Sequence, residues 1–254
     1  MEFELESPRV KQINSHIWLL DDAGRATGYV VKGKRKALVI DTMTGLCNVR
    51  EAAEKLTDLP LLCINTHGHP DHIGGNWSFE SAYLNPKDFA LAKSALGMEE
   101  YRAAIEKHNL HYPEFVGVQE GDVFDLGGIE LSVLEASGHT AGEIVLLDKA
   151  DKILFSGDAI LEQLWLQLPE STGIAEQIKS MERLEKYRGN FDTILSGHSK
   201  GTEDASLFDN LLSALRDLAS GDNESDEEYE WFGGKCAAHP YGKPPRRIAY
   251  QKAR

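Results

Sequence analysis

Residues 67–72 read His-Gly-His-Pro-Asp-His, inside the stretch NTHGHPDHIGG (65–75). Two readings are open for so many polar side chains in so short a span: a solvated turn, or a set converging on metal. On a helix, side chains two residues apart diverge by about 200°, so His67 and His69 cannot share a helical face. In a loop leaving a strand end, shaped by Gly68 and Pro70, they can converge, while Asp71 and His72 aim at a neighbouring point. Gly74 and Gly75 leave room for close backbone approach. One loop thus offers two pairs of ligands, which suits two adjacent ions better than one.

A metal site also needs donors from far along the chain. His139 in EASGHTAGEI, Asp158 in ILFSGDAI and His198 in ILSGHSKG each follow an apolar run and then small residues. Any one of them alone reads as an ordinary loop residue. Together with the first loop they repeat one grammar, and a solvated turn does not account for it.

The elements that must position these residues are legible around them. HIWLLDD, ATGYVVKG and KALVIDT read as strands, and Asn48 as the cap of a helix over VREAAEKL. LPLLCIN is a buried strand that delivers the chain into the histidine loop. PKDFALAKSALGMEEYRAAIEKH reads as a helical stretch interrupted at Gly97. GIELSVLEAS, EIVLLDKA, KILFSGD and FDTILSG are strands of the second half; TGIAEQIKSMERLEKY and EDASLFDNLLSALRDLAS are helices. SGDNESDEEYE (220–230) reads as a solvated acidic loop, and RRIAYQ (246–251) as a closing strand of a single domain spanning 1–254.

The ordered set His-x-His-x-Asp-His, Gly-His, Gly-Asp, Gly-His resembles the metallo-β-lactamase superfamily, and its glyoxalase II-like branch in particular. The resemblance runs from the first strands to His198 and is specific for fold and metal site, not for substrate. It implies an α+β fold, a four-layer αββα sandwich with the metals at one edge between the two halves. It also implies that His67, His69 and His139 hold one metal, that Asp71, His72 and His198 hold another, and that Asp158 bridges them. Zinc, two ions of it, is the default for such donors; iron and manganese accept the same set. Asp41, ending KALVID, matches the family position behind a ligand histidine, and "DTMTG" is equally good as an Asx-turn.

The activity implied is that of a dinuclear metal-dependent hydrolase, with metal-bound hydroxide attacking an ester, thioester, lactone or related acyl bond. In that chemistry Asp71 orients the nucleophile or passes a proton to the leaving group. The alternatives are a mononuclear iron dioxygenase acting on a persulfide, a β-lactam-hydrolysing enzyme, and a binding protein that kept the fold. Departures from the branches narrow the field. The tail is short and acidic where glyoxalase II enzymes carry a basic glutathione-binding region. Leu161 stands where the lactone-cleaving branch has tyrosine, and Asp158 is the bridging residue that true β-lactamases generally lack. His69 stands where the flavodiiron branch has a carboxylate.

Pocket candidates lie in HNLHYPEFVG (108–117) and LEQLWLQLPE (161–170), with Phe115, Leu161, Leu164 and Trp165 facing an apolar part of the substrate and Lys200 near its carboxylate. His16, His108, His111 and His239 read as structural or surface residues, and Cys236 with His239 is an isolated C-x-x-H.

Composition bounds the partners. With 41 acidic and 27 basic residues the formal charge is -14, which argues against nucleic acid, a ribonuclease Z-like role or an anionic membrane. The expected partner is a small molecule with an acyl bond, with self-association into a homodimer left open. Three widely spaced cysteines make no disulfide framework, and the start MEFELESPRVKQIN lacks an apolar leader, so the expected location is cytoplasmic.

Overall fold

Alternate residues of single strands face different cores. Leu38 and Ile40 join one buried cluster, and Val39 between them joins another. Leu146 likewise faces the first cluster, while Val145 and Leu147 face a third. Strands Ala37–Ile40, Ile144–Asp148 and Ile153–Gly157 are buried at every position, so each sheet must be covered on both faces. The computed structural model describes residues 7–231, 234–242 and 246–252. The first six residues, part of the start read as lacking a leader, lie outside the described residues, as do 243–245 in the tail.

A seven-stranded sheet runs in chain order from Arg9–Gln12 to Phe115–Gly117. Its strands Ala37–Ile40, Leu61–Ile64, Ala82–Leu84 and Phe115–Gly117 are parallel. A six-stranded sheet faces it, with Ile153–Gly157 parallel to Thr193–Ser196 at its heart. Between them lies the inner core, in which Tyr29 meets Phe155 edge to face at 5.3 Å. Helix Val49–Glu54 covers the first sheet; Ile174–Glu185 and Ser206–Ser220 cover the second. Helix, sheet, sheet, helix is the four-layer αββα sandwich. Among the described residues no helix is long and apolar enough to cross a membrane.

Local signals act as their chemistry dictates. Asn48 Oδ1 accepts from the Glu51 amide at 3.1 Å, which stops the helix from fraying at its start. Gly97 ends helix Phe89–Leu96, and a second helix, Glu99–His108, begins two residues later.

One part of the chain departs from expectation. The segment read as an acidic loop runs into strand Glu227–Trp231, and LEQLWLQLPE contains strand Gln163–Leu166. Both belong to a third, four-stranded sheet, in which Gln163–Leu166 pairs with Arg246–Tyr250, then Gly234–Tyr241, then Glu227–Trp231. The acidic strand lies at its edge with most side chains in water, where charge is tolerated and discourages pairing with other chains. RRIAYQ does form a strand, at Arg246–Tyr250. Among the described residues no cysteine forms a disulfide, and Cys47 and Cys63 lie within the core.

Candidate metal centre

The predicted donors sit at the carboxyl ends of strands from both facing sheets. Leu61–Ile64 delivers the His67–His72 loop, Glu130–Glu135 delivers His139, Ile153–Gly157 delivers Asp158, and Thr193–Ser196 delivers His198. Glycines let these loops touch. A Cβ on Gly74 would lie 2.4 Å from the Thr44 carbonyl, and one on Gly197 would lie 2.3 Å from Asp158 Oδ1 and 2.5 Å from His72 Cε1.

Two donor sets result. His69 Nδ1 lies 3.0 Å from His67 Nε2 and 2.9 Å from His139 Nε2. His198 Nε2 and His72 Nε2 lie 3.5 and 3.8 Å from Asp71 Oδ2. Asp158 stands between the sets. Its Oδ2 is 3.2 Å from His198 Nε2 and 3.7 Å from His139 Nε2, and its Oδ1 is 3.6 Å from His72 Nε2.

The outer nitrogen of each histidine has a partner, which fixes the tautomer. His72 Nδ1 donates to Asp41 Oδ2 at 2.9 Å, His139 Nδ1 to the Trp165 carbonyl at 2.7 Å, and His198 Nδ1 to the Arg25 carbonyl at 2.8 Å. Thr66 Oγ1 donates to Asp41, so it accepts from His67 Nδ1 at 3.1 Å. His69 is held from its Nε2 side by Glu170 Oε1 at 2.6 Å. The five remaining nitrogens face inward, and carry no proton whenever the imidazoles are neutral. Hydrogen bonds cannot satisfy three mutually facing acceptors, and His72 Nε2 and Asp158 Oδ1 are buried with no hydrogen-bond partner among the described residues. Divalent cations fit this donor chemistry.

Electrostatics divides the sets. Burial drives His67 well below the usual histidine range and His139 down to about 4, so both are neutral, as metal ligands must be. Burial opposes charge on His72 too, but Asp158, Asp41 and Asp71 outweigh it and raise its pKa to about 10. Burial also pushes Asp158 upward, yet His198 and His72 hold it well below the carboxylate range. Without a cation, protons on this set balance the carboxylates.

These motifs have counterparts. Residues 21–224 match the family model described as the metallo-beta-lactamase superfamily. The chain belongs to that superfamily. The acyl-coenzyme A thioesterase MBLAC2 of Homo sapiens is 31% identical over 208 residues, 70% of this chain and 74% of that protein. A hydroxyacylglutathione hydrolase of Francisella tularensis subsp. tularensis (strain WY96-3418) is 25% identical over 219 residues, 81% and 79% of the two chains. Among solved structures, DIM-1 metallo-beta-lactamase exposed to ceftazidime has a TM-score of 0.65 at 20% identity, covering 85% of this chain and 99% of its own. A metallo-beta-lactamase from Pontibacter korlensis has a TM-score of 0.59 at 22% identity, covering 83% and 99%. Those two likenesses concern the superfamily fold.

Several residues around the metal centre escaped the sequence reading. Glu170 follows strand Gln163–Leu166 in a segment without a motif. Asp88 accepts from the Gly68 amide at 2.9 Å, the Thr140 hydroxyl at 2.7 Å and the Gly142 amide at 2.7 Å, so it clamps the His67–His69 and His139 loops together. Glu143 is buried beneath the site, and its Oε1 accepts from the Asp158 amide at 2.8 Å. Burial and then Asp158 push its pKa well above the usual glutamate value. Asp41 Oδ1 accepts from the Thr66 amide at 2.7 Å and its Oδ2 from His72 at 2.9 Å, and among the described residues no Asx-turn bond from the Met43 amide to its carboxylate is found.

The pocket residues need correction. Leu161 and Leu164 are buried in the core under the helices of the second sheet and have no surface to offer a substrate. Phe115 stacks on Phe89 with ring centroids 5.8 Å apart, because its strand packs against helix Phe89–Leu96. Trp165 is the one of the four beside the donors, its ring edge-on to His198 at 5.6 Å. Lys200 is exposed next to the His198 loop. His239 pairs with Asp226 at 3.0 Å, so the C-x-x-H is no metal site. His16 pairs with Asp151 at 2.8 Å.

Proposed function

We propose that this metal-dependent hydrolase cleaves an acyl thioester, with two zinc ions held as the sequence implied: His67, His69 and His139 for one, Asp71, His72 and His198 for the other, Asp158 shared. The observation that carries the reading is Asp158, whose Oδ2 lies within 4 Å of a histidine from each donor set while its Oδ1 lies 3.6 Å from His72. Its similarity to an acyl-coenzyme A thioesterase and to a hydroxyacylglutathione hydrolase supports the thioester bond over lactone or β-lactam. Bound there, the cations supply an activated water and take up negative charge on oxygen.

The chain's own residues do the rest. Asp41, Glu170 and the carbonyls of Trp165 and Arg25 hold the imidazoles in one tautomer, so no reorganisation is needed during reaction. Of the donors, Asp71 is the most open, with 36% of its side chain exposed against 22% for His198 and 3% for Asp158. Substrate therefore enters over Asp71 and His198, and Asp71 Oδ2 is the atom placed to hold or pass a proton. A thiolate leaves readily without protonation, since its pKa of about 8.5 is close to neutrality.

The test is metal analysis with a hydrolysis screen of thioesters, lactones, β-lactams and phosphodiesters, on the zinc-loaded enzyme and its Asp158→Asn variant. Two zinc equivalents and thioester turnover that falls at least a thousandfold in the variant are expected. One iron per chain with oxygen uptake, or turnover of phosphodiesters alone, overturns the reading.

A further inference from the structure

Two unlike recesses border the donor cluster, each with a different donor in its wall. The larger, about 710 Å³, lies between helix Glu99–His108 and the loop at Thr44–Leu46, and opens on Asp71. Its apolar walls are Leu46, Trp77, Met98, Ala104 and Leu110, with Glu100 and Lys107 also in the lining. Tyr101 and Tyr112 add ring faces, because their hydroxyls are spent on backbone carbonyls: Tyr101 on Pro70 at 2.9 Å, Tyr112 on Gly74 at 2.7 Å. Helix Glu99–His108 buries none of its residues, and Met98 before it is 47% exposed. A helix that leaves its apolar side open over a cavity, one carboxylate away from the reacting atoms, is shaped for an apolar ligand.

The second recess, about 290 Å³, lies on the other side, against His198. Arg9, Lys11 and Lys200 line it together with one carboxylate, Asp21. On a chain of net charge -14, three cations around one small groove form a local positive field. Lys11 Nζ reaches only the Lys200 carbonyl, at 3.3 Å, and among the described residues no carboxylate lies within ion-pair distance of either lysine. Arg9 touches Asp21 at 3.8 Å with 78% of its side chain exposed. Asp71 in the wall of the first recess and His198 in the wall of the second stand 3.5 Å apart, Oδ2 to Nε2.

We propose that the substrate spans both recesses: a medium- or long-chain acyl group lies in the cavity over Asp71, and a thiol carrier bearing phosphates lies along Arg9, Lys11 and Lys200. The assignment rests on the thioesterase reading and specifies its substrate. A small hydroxyacyl group on glutathione would leave the apolar cavity without a role.

The experiment compares acetyl, octanoyl and dodecanoyl thioesters of coenzyme A, of pantetheine (the same thiol without its phosphates) and of glutathione on the zinc-loaded enzyme. Each methylene that enters the cavity should raise kcat/KM about threefold to fourfold until the cavity is full. Ala104→Trp, which fills the cavity, should abolish the gain from acetyl to dodecanoyl. Met98→Glu should do the same, and a thermal melt checks that both fold. Lys11→Glu with Lys200→Glu should raise KM at least tenfold more for coenzyme A thioesters than for pantetheine thioesters. Calorimetric binding of a non-hydrolysable dodecyl thioether of coenzyme A reads both recesses without turnover. Flat chain-length dependence, or equal binding of the thioether by wild type and by these variants, overturns the two-recess assignment. Tight, variant-sensitive thioether binding with no thioester hydrolysis overturns the thioesterase reading instead and leaves the recesses standing.

Discussion

Glu170 Oε1 stands 2.6 Å from Nε2 of His69, on the side of the ring turned away from the other histidines. The two residues are a hundred positions apart in sequence, and the contact turns His69 Nδ1 inward to His67 and His139. The first-encountered loop therefore does not orient its own ligand; a distant carboxylate does. Carboxylates behind metal-bound histidines set both ring orientation and ligand basicity.

Replacing Glu170 by alanine should weaken the three-histidine set by about ten- to a hundredfold in metal affinity. Glutamine keeps an acceptor and should recover much of it. Competition with a chelator, titrated with cobalt so that the two sets are read by absorbance, decides the matter. Equal affinity in all three proteins would remove the role assigned to Glu170.

Asp41 carries bonds from the Thr66 amide, the Thr66 hydroxyl and His72 while buried, with φ at +60°. Asp41→Ala should cost about 3–5 kcal/mol, since it orphans three buried donors and puts alanine in a left-handed conformation. Asp41→Asn tolerates that backbone and should cost less. Urea unfolding of the zinc-free proteins measures both.

Gly197 has no room for a side chain between Asp158 and His72. Gly197→Ala should push those two donors apart and lower zinc content, with the three-histidine set the last to empty. The far-UV spectrum should stay that of wild type, because strand Thr193–Ser196 ends before the substitution. Full occupancy of both sets would contradict the clash.

Stability should depend on pH through Asp226, which anchors the third sheet. Its buried carboxylate takes bonds from Tyr250 at 2.6 Å, His239 at 3.0 Å and Lys252 at 3.0 Å. Burial pushes its pKa up, but these partners outweigh burial and bring it below the usual aspartate value. A carboxylate with a depressed folded pKa stabilises above its unfolded pKa of about 4 and loses that contribution as pH falls through the folded value. Asp226→Asn should therefore lower the unfolding midpoint at neutral pH and narrow the gap from wild type in acid. A gap that is constant with pH would sink this account.

What the chain's order of residues determined by itself is the metal centre and most of the sandwich. His67, His69, Asp71, His72, His139, Asp158 and His198 stand out because polar donors beside glycine, after runs such as LPLLCIN and KILFSGD, are costly unless they serve a site. Strands buried on both faces declare themselves as continuous apolar runs, and helices by their period and caps. Tertiary structure alone decided the rest. The third sheet joins Gln163–Leu166 to strands some eighty residues later, a pairing with no local signal in its charged edge. The buried fate of Leu161 and Leu164, and the open face of helix Glu99–His108, depend on which neighbours packing supplies. So does the choice of Glu170 and Asp88 over other carboxylates. Local chemistry names a ligand because the ligand's surroundings are written beside it; a partner met across the fold is specified only when the layers close.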